Sequence, residues 1–121
     1  MFELKVVTDF AAAHQLAMVT QKCENLHGHN WKVEVNVAGQ ELNDAGVLID
    51  FGVIKTHIRE IVGGLDHRFL NDMSCFDGNP SSERIAVYIA RRLSEMMSDT
   101  GLRVSSVAVW ESNDACATYI P

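Results

Sequence analysis

Two histidines, His27 and His29, stand on either side of Gly28. In an extended chain, residues i and i+2 point to the same face, so both imidazoles can converge on one point. Gly28 between them leaves room for another group to approach. His14 is a third candidate, at the end of an earlier alternating stretch that would neighbour this one in a hairpin. Three imidazoles with one open position make the ligand set of a catalytic zinc site, whereas a structural site closes all four. A His-x-His pair is also compatible with two ordinary surface or core histidines, and the spacing alone leaves both readings open.

Cys23 lies four residues before His27. A thiolate beside a divalent cation is stabilised, so Cys23 could be a fourth ligand, a base, or an inert loop thiol. Cys75 and Cys116 have nothing comparable around them and read as inert. Asp66 and His67 are adjacent; a carboxylate beside an imidazole fixes its tautomer and raises its basicity. Neighbours along a regular strand do not pair in this way, so the reading requires an irregular backbone there, and a polar loop is the alternative. Glu111 ends an apolar stretch, where a carboxylate can accept two parallel N–H donors such as the edge of a guanine or pterin ring. Glu83 is a second such candidate, and its alternative is a favourable position in the first turn of a helix. His57 reads as packed or solvated on a helix.

The elements that must position these groups follow from periodicity. Phe2 to Phe10 alternates with period two, as does His29 to Val37, giving two strands. Gln15 to Leu26 reads as a long loop or crossover. Asp50 caps a helix whose stripe is Phe51, Ile54, Ile58, Ile61 and Leu65, closed by Gly63 and Gly64. Asn79, Pro80 and Ser81 open a second helix with Ile85, Ala86, Ile89, Leu93 and Met96 on its stripe, stopped by Gly101. Strands near Val104 to Glu111 and Ala115 to Ile120 flank a turn at Asn113 and Asp114. The order ββααββ predicts an α+β layer, an antiparallel sheet with both helices on one face. Its exposed edges suggest an oligomer.

The chain has 121 residues, a length that predicts one domain over 1–121. Its formal charge of −6 and lack of a basic run argue against nucleic-acid binding through phosphates. No apolar run approaches the ~20 residues of a membrane helix, and MFELKVVTDF lacks the layout of a secretory signal. Three cysteines at wide spacing give no disulfide framework, so a cytoplasmic location is expected.

Five fragments in order carry a family resemblance over essentially the whole chain. They are Phe10-Ala11-Ala12-Ala13-His14, Cys23-Glu24-Asn25-Leu26-His27-Gly28-His29, Ile49-Asp50-Phe51, Leu65-Asp66-His67 with Leu70-Asn71, and Asn79-Pro80-Ser81-Ser82-Glu83. The sequence resembles the 6-pyruvoyl-tetrahydropterin synthases and the similar 6-carboxy-tetrahydropterin synthases of the queuosine pathway. Ser81 departs from the threonine more usual there, and both residues offer a hydroxyl. The short Cys23-x-x-x-His27 spacing looks more like the bacterial carboxy-type enzymes. Cys23 also sets the protein apart from members that carry glutamate there and cleave the substrate as aldolases.

The resemblance implies a T-fold, a four-stranded antiparallel sheet with two helices packed on one face. It implies subunits joined into a hexamer or tetramer with active sites at their junctions. His14, His27 and His29 would bind Zn2+, and Cys23 would be the proton-abstracting base, assisted by Asp66 and His67. Glu111 would anchor a pterin or complete the relay, and Glu83 would contact the pterin. The implied reaction converts 7,8-dihydroneopterin triphosphate to 6-carboxy-5,6,7,8-tetrahydropterin, with triphosphate and acetaldehyde released. A pyruvoyl-type product and a non-enzymatic zinc-stabilised binding module are the alternatives. Lys22, Arg68, Arg91 and Arg92 are candidates for the triphosphate, or else solvated surface charges.

Overall fold

The computed structural model describes residues 1–17 and 25–121. In sequence order its elements are β1 (Phe2–His14), β2 (His27–Gly39), α1 (Phe51–Gly63), β3 (Arg68–Phe69), α2 (Ser82–Met96), β4 (Arg103–Ser112) and β5 (Ala115–Tyr119). β1 and β2 pair antiparallel in unbroken register from Phe2 opposite Gly39 to His14 opposite His27. The period-two pattern explains this register, since a slip of one residue would turn Trp31, Val33, Val35 and Val37 out of the core. All four are fully buried, as are Val107 and Val109 on β4, which pairs with β2.

Both helices begin where the sequence places their caps. The Asp50 carboxylate accepts from the Gly52 N–H at 2.7 Å, and the Ser81 hydroxyl accepts from the Arg84 N–H at 3.2 Å. Such a cap stabilises a helix by about 1 kcal/mol over alanine. The buried stripes are Ile54, Ile58, Ile61 and Val62 on α1 and Ile85, Ala86, Ile89, Ala90 and Leu93 on α2. They join the inner face of the sheet in one apolar core. Each large side chain fully removed from water contributes about 1.5–3 kcal/mol.

The sheet departs from the expected four antiparallel strands. It has five, in the order β3-β1-β2-β4-β5, and it is mixed, because Arg68 and Phe69 run parallel to Ala12 and Ala13. Two residues carry no readable period. They reach the edge of β1 because His67 adopts φ 57°, a left-handed backbone that turns the polypeptide. The second helix also ends earlier than Gly101: Met97 caps it, and Gly101, at φ 75°, makes the following turn. No helix of the described residues is long and apolar enough to cross a membrane.

Candidate metal centre

The β1–β2 hairpin brings the three histidines together. His14 lies directly opposite His27, and His29 lies opposite Ala12, so all three rings stand on the helix-facing side of the sheet. A methyl group at position 12 leaves space for the His29 ring. Trp31, two residues further along the same face, forms the apolar floor, with its ring 4.8 Å from His14 and 5.0 Å from His29, centroid to centroid. Its indole N–H is satisfied by the Ala12 carbonyl at 3.2 Å.

Hydrogen bonds to carbonyl oxygens fix two of the tautomers. His14 Nδ1 is 2.8 Å from the Pro80 carbonyl, and His27 Nδ1 is 2.7 Å from the Asn25 carbonyl. A carbonyl only accepts, so both Nδ1 atoms carry the proton and, in the neutral rings, both Nε2 atoms carry lone pairs. Those Nε2 atoms face each other at 3.0 Å. The His29 Nε2 is buried, with the Glu111 carboxylate beside it.

Glu111 completes the cluster. Its Oε1 lies 2.9 Å from His29 Nε2, 3.6 Å from His27 Nε2 and 3.7 Å from His14 Nε2. The β4–β5 register passes from Trp110 opposite Cys116 to Ser112 opposite Ala115, leaving Glu111 as the extra residue of a bulge. Bulges at sheet ends re-aim side chains, and this one accompanies a carboxylate directed at the imidazoles. The Ser82 hydroxyl donates to Oε2 at 3.5 Å.

The donor atoms of His14, His27, His29 and Glu111 all lie within 4.8 Å of one another. Lone pairs converging in a half-buried site repel unless a cation or proton lies between them. Tetrahedral zinc with Zn–N bonds near 2.0–2.1 Å would separate nitrogen ligands by about 3.4 Å, close to the spacing of this cluster. The residues therefore fit a divalent metal. Burial, opposed by the Glu111 charge and reinforced by His27 and His14, holds His29 below the usual imidazole value and favours its neutral, ligating form.

Asp66 and His67 do pair, and the irregular backbone that such a pair requires is present. Asp66 Oδ2 is 2.9 Å from His67 Nδ1, while Asp66 Oδ1 accepts from the Ala11 N–H at 2.8 Å. The His67 N–H donates in turn to the Ala11 carbonyl at 2.6 Å. The Ala11 N–H bond, ahead of the His67 contacts, holds the Asp66 carboxyl below its ordinary value. An open groove of about 560 Å³ is lined by His29 and Asn30 on one side and by His67, Arg68 and Phe69 on the other. The groove thus runs across the end of β1 between a residue of the cluster, His29, and His67.

Cys23 and Lys22 lie outside the described residues. Glu83 is exposed in the first turn of α2 and is not part of the cluster. Arg68 borders the His29–His67 groove, whereas Arg91 and Arg92 line a separate one beside Cys75. Cys75 and Cys116 are free thiols, and desolvation raises the Cys75 pKa above its ordinary value. His57 is half-buried on α1. Sequence reasoning missed the approach of Glu111 to the imidazoles and the carbonyls of Asn25 and Pro80. The proline that opens α2 was the available signal for the last of these.

The two helices on a mixed sheet are of the T-fold type, with a triple-histidine cluster fit to hold a metal, and sequence comparison gives the family. The 6-pyruvoyl tetrahydropterin synthase family matches residues 3–121, and the protein belongs to it. Its sequence is 39 % identical to the 6-carboxy-5,6,7,8-tetrahydropterin synthase of Synechocystis sp., over 91 % of this protein and 86 % of that one. It is 33 % identical to the dihydroneopterin monophosphate aldolase of Pyrococcus furiosus, over 87 % and 85 % of the two sequences. The solved Caenorhabditis elegans 6-pyruvoyl tetrahydropterin synthase superposes with a TM-score of 0.85 at 25 % identity, covering 99 % of this protein and 95 % of that one. The enzyme class expected from the sequence, a lyase of the tetrahydropterin synthase type, agrees with the family.

Proposed function

We propose that the protein is a zinc-dependent lyase. It converts 7,8-dihydroneopterin triphosphate to 6-carboxy-5,6,7,8-tetrahydropterin, releasing triphosphate and acetaldehyde, in queuosine (7-deazaguanine) biosynthesis. In this reading it is a single cytoplasmic domain over residues 1–121 that assembles as a hexamer or tetramer with sites at subunit junctions. The observation that carries the reading is the convergence of three imidazole Nε2 atoms in a member of this family.

His14, His27 and His29 hold the metal. When bound, zinc supplies Lewis acidity that makes a carbon-bound proton beside the substrate's hydroxyl groups easier to remove. Cys23 takes that proton as the base, and Asp66 with His67 sets its protonation state. Triphosphate leaves by elimination, and tautomerisation reduces the ring at the expense of its substituent, so no external reductant is required. Water then cleaves the bond between the two side-chain carbonyl carbons, leaving the carboxylate on the ring and releasing acetaldehyde. Glu111, at the border of the imidazole cluster, accepts the paired N–H donors of the pterin or completes the relay. Glu83 makes a further contact to the pterin.

The carboxy-type product is favoured by the short spacing from Cys23 to His27 and by the 39 % identical Synechocystis relative. The likeness to the Caenorhabditis elegans protein supports a pyruvoyl-type product from the same site. The deciding experiment incubates zinc-loaded protein with dihydroneopterin triphosphate and identifies the products by mass. Carboxy-tetrahydropterin with acetaldehyde is the expected result. A pyruvoyl product without acetaldehyde moves the protein to the second reaction. No release of triphosphate removes both and leaves a zinc-stabilised pterin-binding module.

A further inference from the structure

His14 occupies the last position of the β1–β2 ladder, where strand pairing ends. The backbone beyond it nevertheless has partners. Asn71 Oδ1 accepts from the Gln15 N–H at 2.9 Å, and Asn71 Nδ2 donates to the Gln15 carbonyl at 2.7 Å and to the Gly78 carbonyl at 3.3 Å. Asn79 treats the next odd residue in the same way. Its Oδ1 accepts from the Ala17 N–H at 2.9 Å, and its Nδ2 donates to the Ala17 carbonyl at 3.3 Å. Each carboxamide thus supplies the donor and acceptor that a neighbouring strand would supply. The orientation of both amides follows from this pairing, because the N–H needs the oxygen and the carbonyl needs the nitrogen.

These contacts bracket a metal ligand. Gln15 follows His14 directly, and Asn79 precedes Pro80, whose carbonyl accepts the His14 Nδ1 proton at 2.8 Å. The Asn79–Ala17 contact therefore ties the backbone leaving His14 to the same turn that orients the His14 ring. The Asn71 bond to Gly78 links the two clamps.

We infer that Asn71 and Asn79 are positioning residues of the metal centre: their carboxamides hold the backbone at Gln15 and Ala17 and so fix the His14 imidazole for metal binding. The inference rests on the reading that the three imidazoles bind zinc. Neither asparagine touches the metal position. Each acts by removing freedom that metal binding would otherwise have to remove, the role that outer partners of ligating histidines play.

The test compares the full-length protein with Asn71→Ala, Asn79→Ala and Asn43→Ala. Asn43 is a matched control: its Oδ1 accepts two backbone N–H bonds, from Ala45 at 2.9 Å and Val47 at 3.3 Å, in a loop apart from the cluster. Zinc affinity is measured by competition with a chromophoric chelator, the cobalt-substituted proteins are compared by visible absorption, and the metal-free proteins by melting temperature. The expected result is a loss of about tenfold or more in zinc affinity at positions 71 and 79, with an altered cobalt spectrum. Asn43→Ala should lower the melting temperature and leave affinity and spectrum unchanged. Equal affinity in all four proteins, or a loss at 71 and 79 no larger than at 43, overturns the inference. If an alanine variant does not fold, the aspartate variant at that position keeps the acceptor and loses the donor. A smaller affinity loss is then expected, and wild-type affinity overturns the inference. A wild-type protein that binds no zinc overturns the metal reading itself, which separates that failure from this one.

Discussion

The Nε2 atoms of His14 and His27 stand 3.0 Å apart across the end of a β-hairpin, each ring locked by a backbone carbonyl behind it. Strand pairing alone brings two imidazoles side by side. It is the carbonyls of Pro80 and Asn25, from outside the strands, that fix both rings with their lone pairs forward.

Removal of any one of the three histidines should therefore separate from removal of Glu111. His14→Ala, His27→Ala and His29→Ala should each lose bound zinc, read as metal per subunit by elemental analysis. Glu111→Gln should retain zinc on three imidazoles and lose turnover by about a hundredfold or more, as expected for a group that orients the substrate. Loss of zinc from Glu111→Gln would instead make the carboxylate a required ligand.

The lowered value of His29 has a pH consequence with a definite sign. In the unfolded state an imidazole takes up its proton near 6.5, whereas the folded, metal-free site resists it until lower pH. Within that window the unfolded state binds more protons, so stability falls as the solution is acidified. Melting temperatures of chelator-treated protein should drop between about pH 7 and pH 5, and the drop should be shallower in His29→Gln. Identical slopes in the two proteins would contradict the assignment.

At Asp66 one carboxylate carries two contacts that substitution can separate. Asp66→Asn keeps an oxygen for the Ala11 N–H and loses the charge beside His67, whereas Asp66→Ala loses both. At neutral pH the asparagine variant should melt somewhat below the wild type, the alanine variant lower still, and both should turn over slowly. The carboxylate's lowered value adds stability that is present above its ordinary value of 3.8 and is lost as pH falls through the lowered one. Acid-induced unfolding should accordingly be less steep in Asp66→Asn.

The two helix caps provide a paired comparison. Asp50→Ala and Ser81→Ala should each cost about 1 kcal/mol in denaturant melts. Only Ser81 adjoins Pro80 and Ser82, which contact His14 and Glu111. Zinc affinity should thus fall in Ser81→Ala and stay constant in Asp50→Ala.

Strong periodicity made most of the fold legible. Alternating valines on β2 and the stripes of α1 and α2 determine which face of each element is buried, and the i, i+2 rule then places His27 and His29 together. The missed features depend on relationships between distant segments. β3 exists because His67 turns left-handed and meets Ala11, which no local pattern announces. Glu111 reaches the imidazoles at a bulge, a property of the β4–β5 pairing rather than of either strand. The bonds from Asn71 and Asn79 span 56 and 62 residues, so the sequence offers Asn79 as a helix opening and both asparagines as parts of the family fragments, with nothing to pair them with Gln15 and Ala17. Cys23 is an expectation from its spacing to His27 and from the resemblance, and it lies outside the described residues.

The segment after α1 measures distance along β1. Ala11 to Gln15 is four steps of extended backbone, about 13 Å at about 3.3 Å per residue. Asp66 to Asn71 covers the same stretch in five steps, gripping the C-terminal part of β1 at Ala11 and the residue just beyond it at Gln15. One residue added or removed there would slide a carboxylate or carboxamide off its partner. Asn71 to Asn79 spends eight steps where the backbone beyond β1 advances by two, from Gln15 to Ala17, and part of the surplus is coiled into the 3-10 turns Leu70–Asp72 and Ser74–Phe76. Insertions and deletions among related proteins should collect in 72–78 and leave the interval from Asp66 to Asn71 unchanged, a ruler with its slack stored at one end.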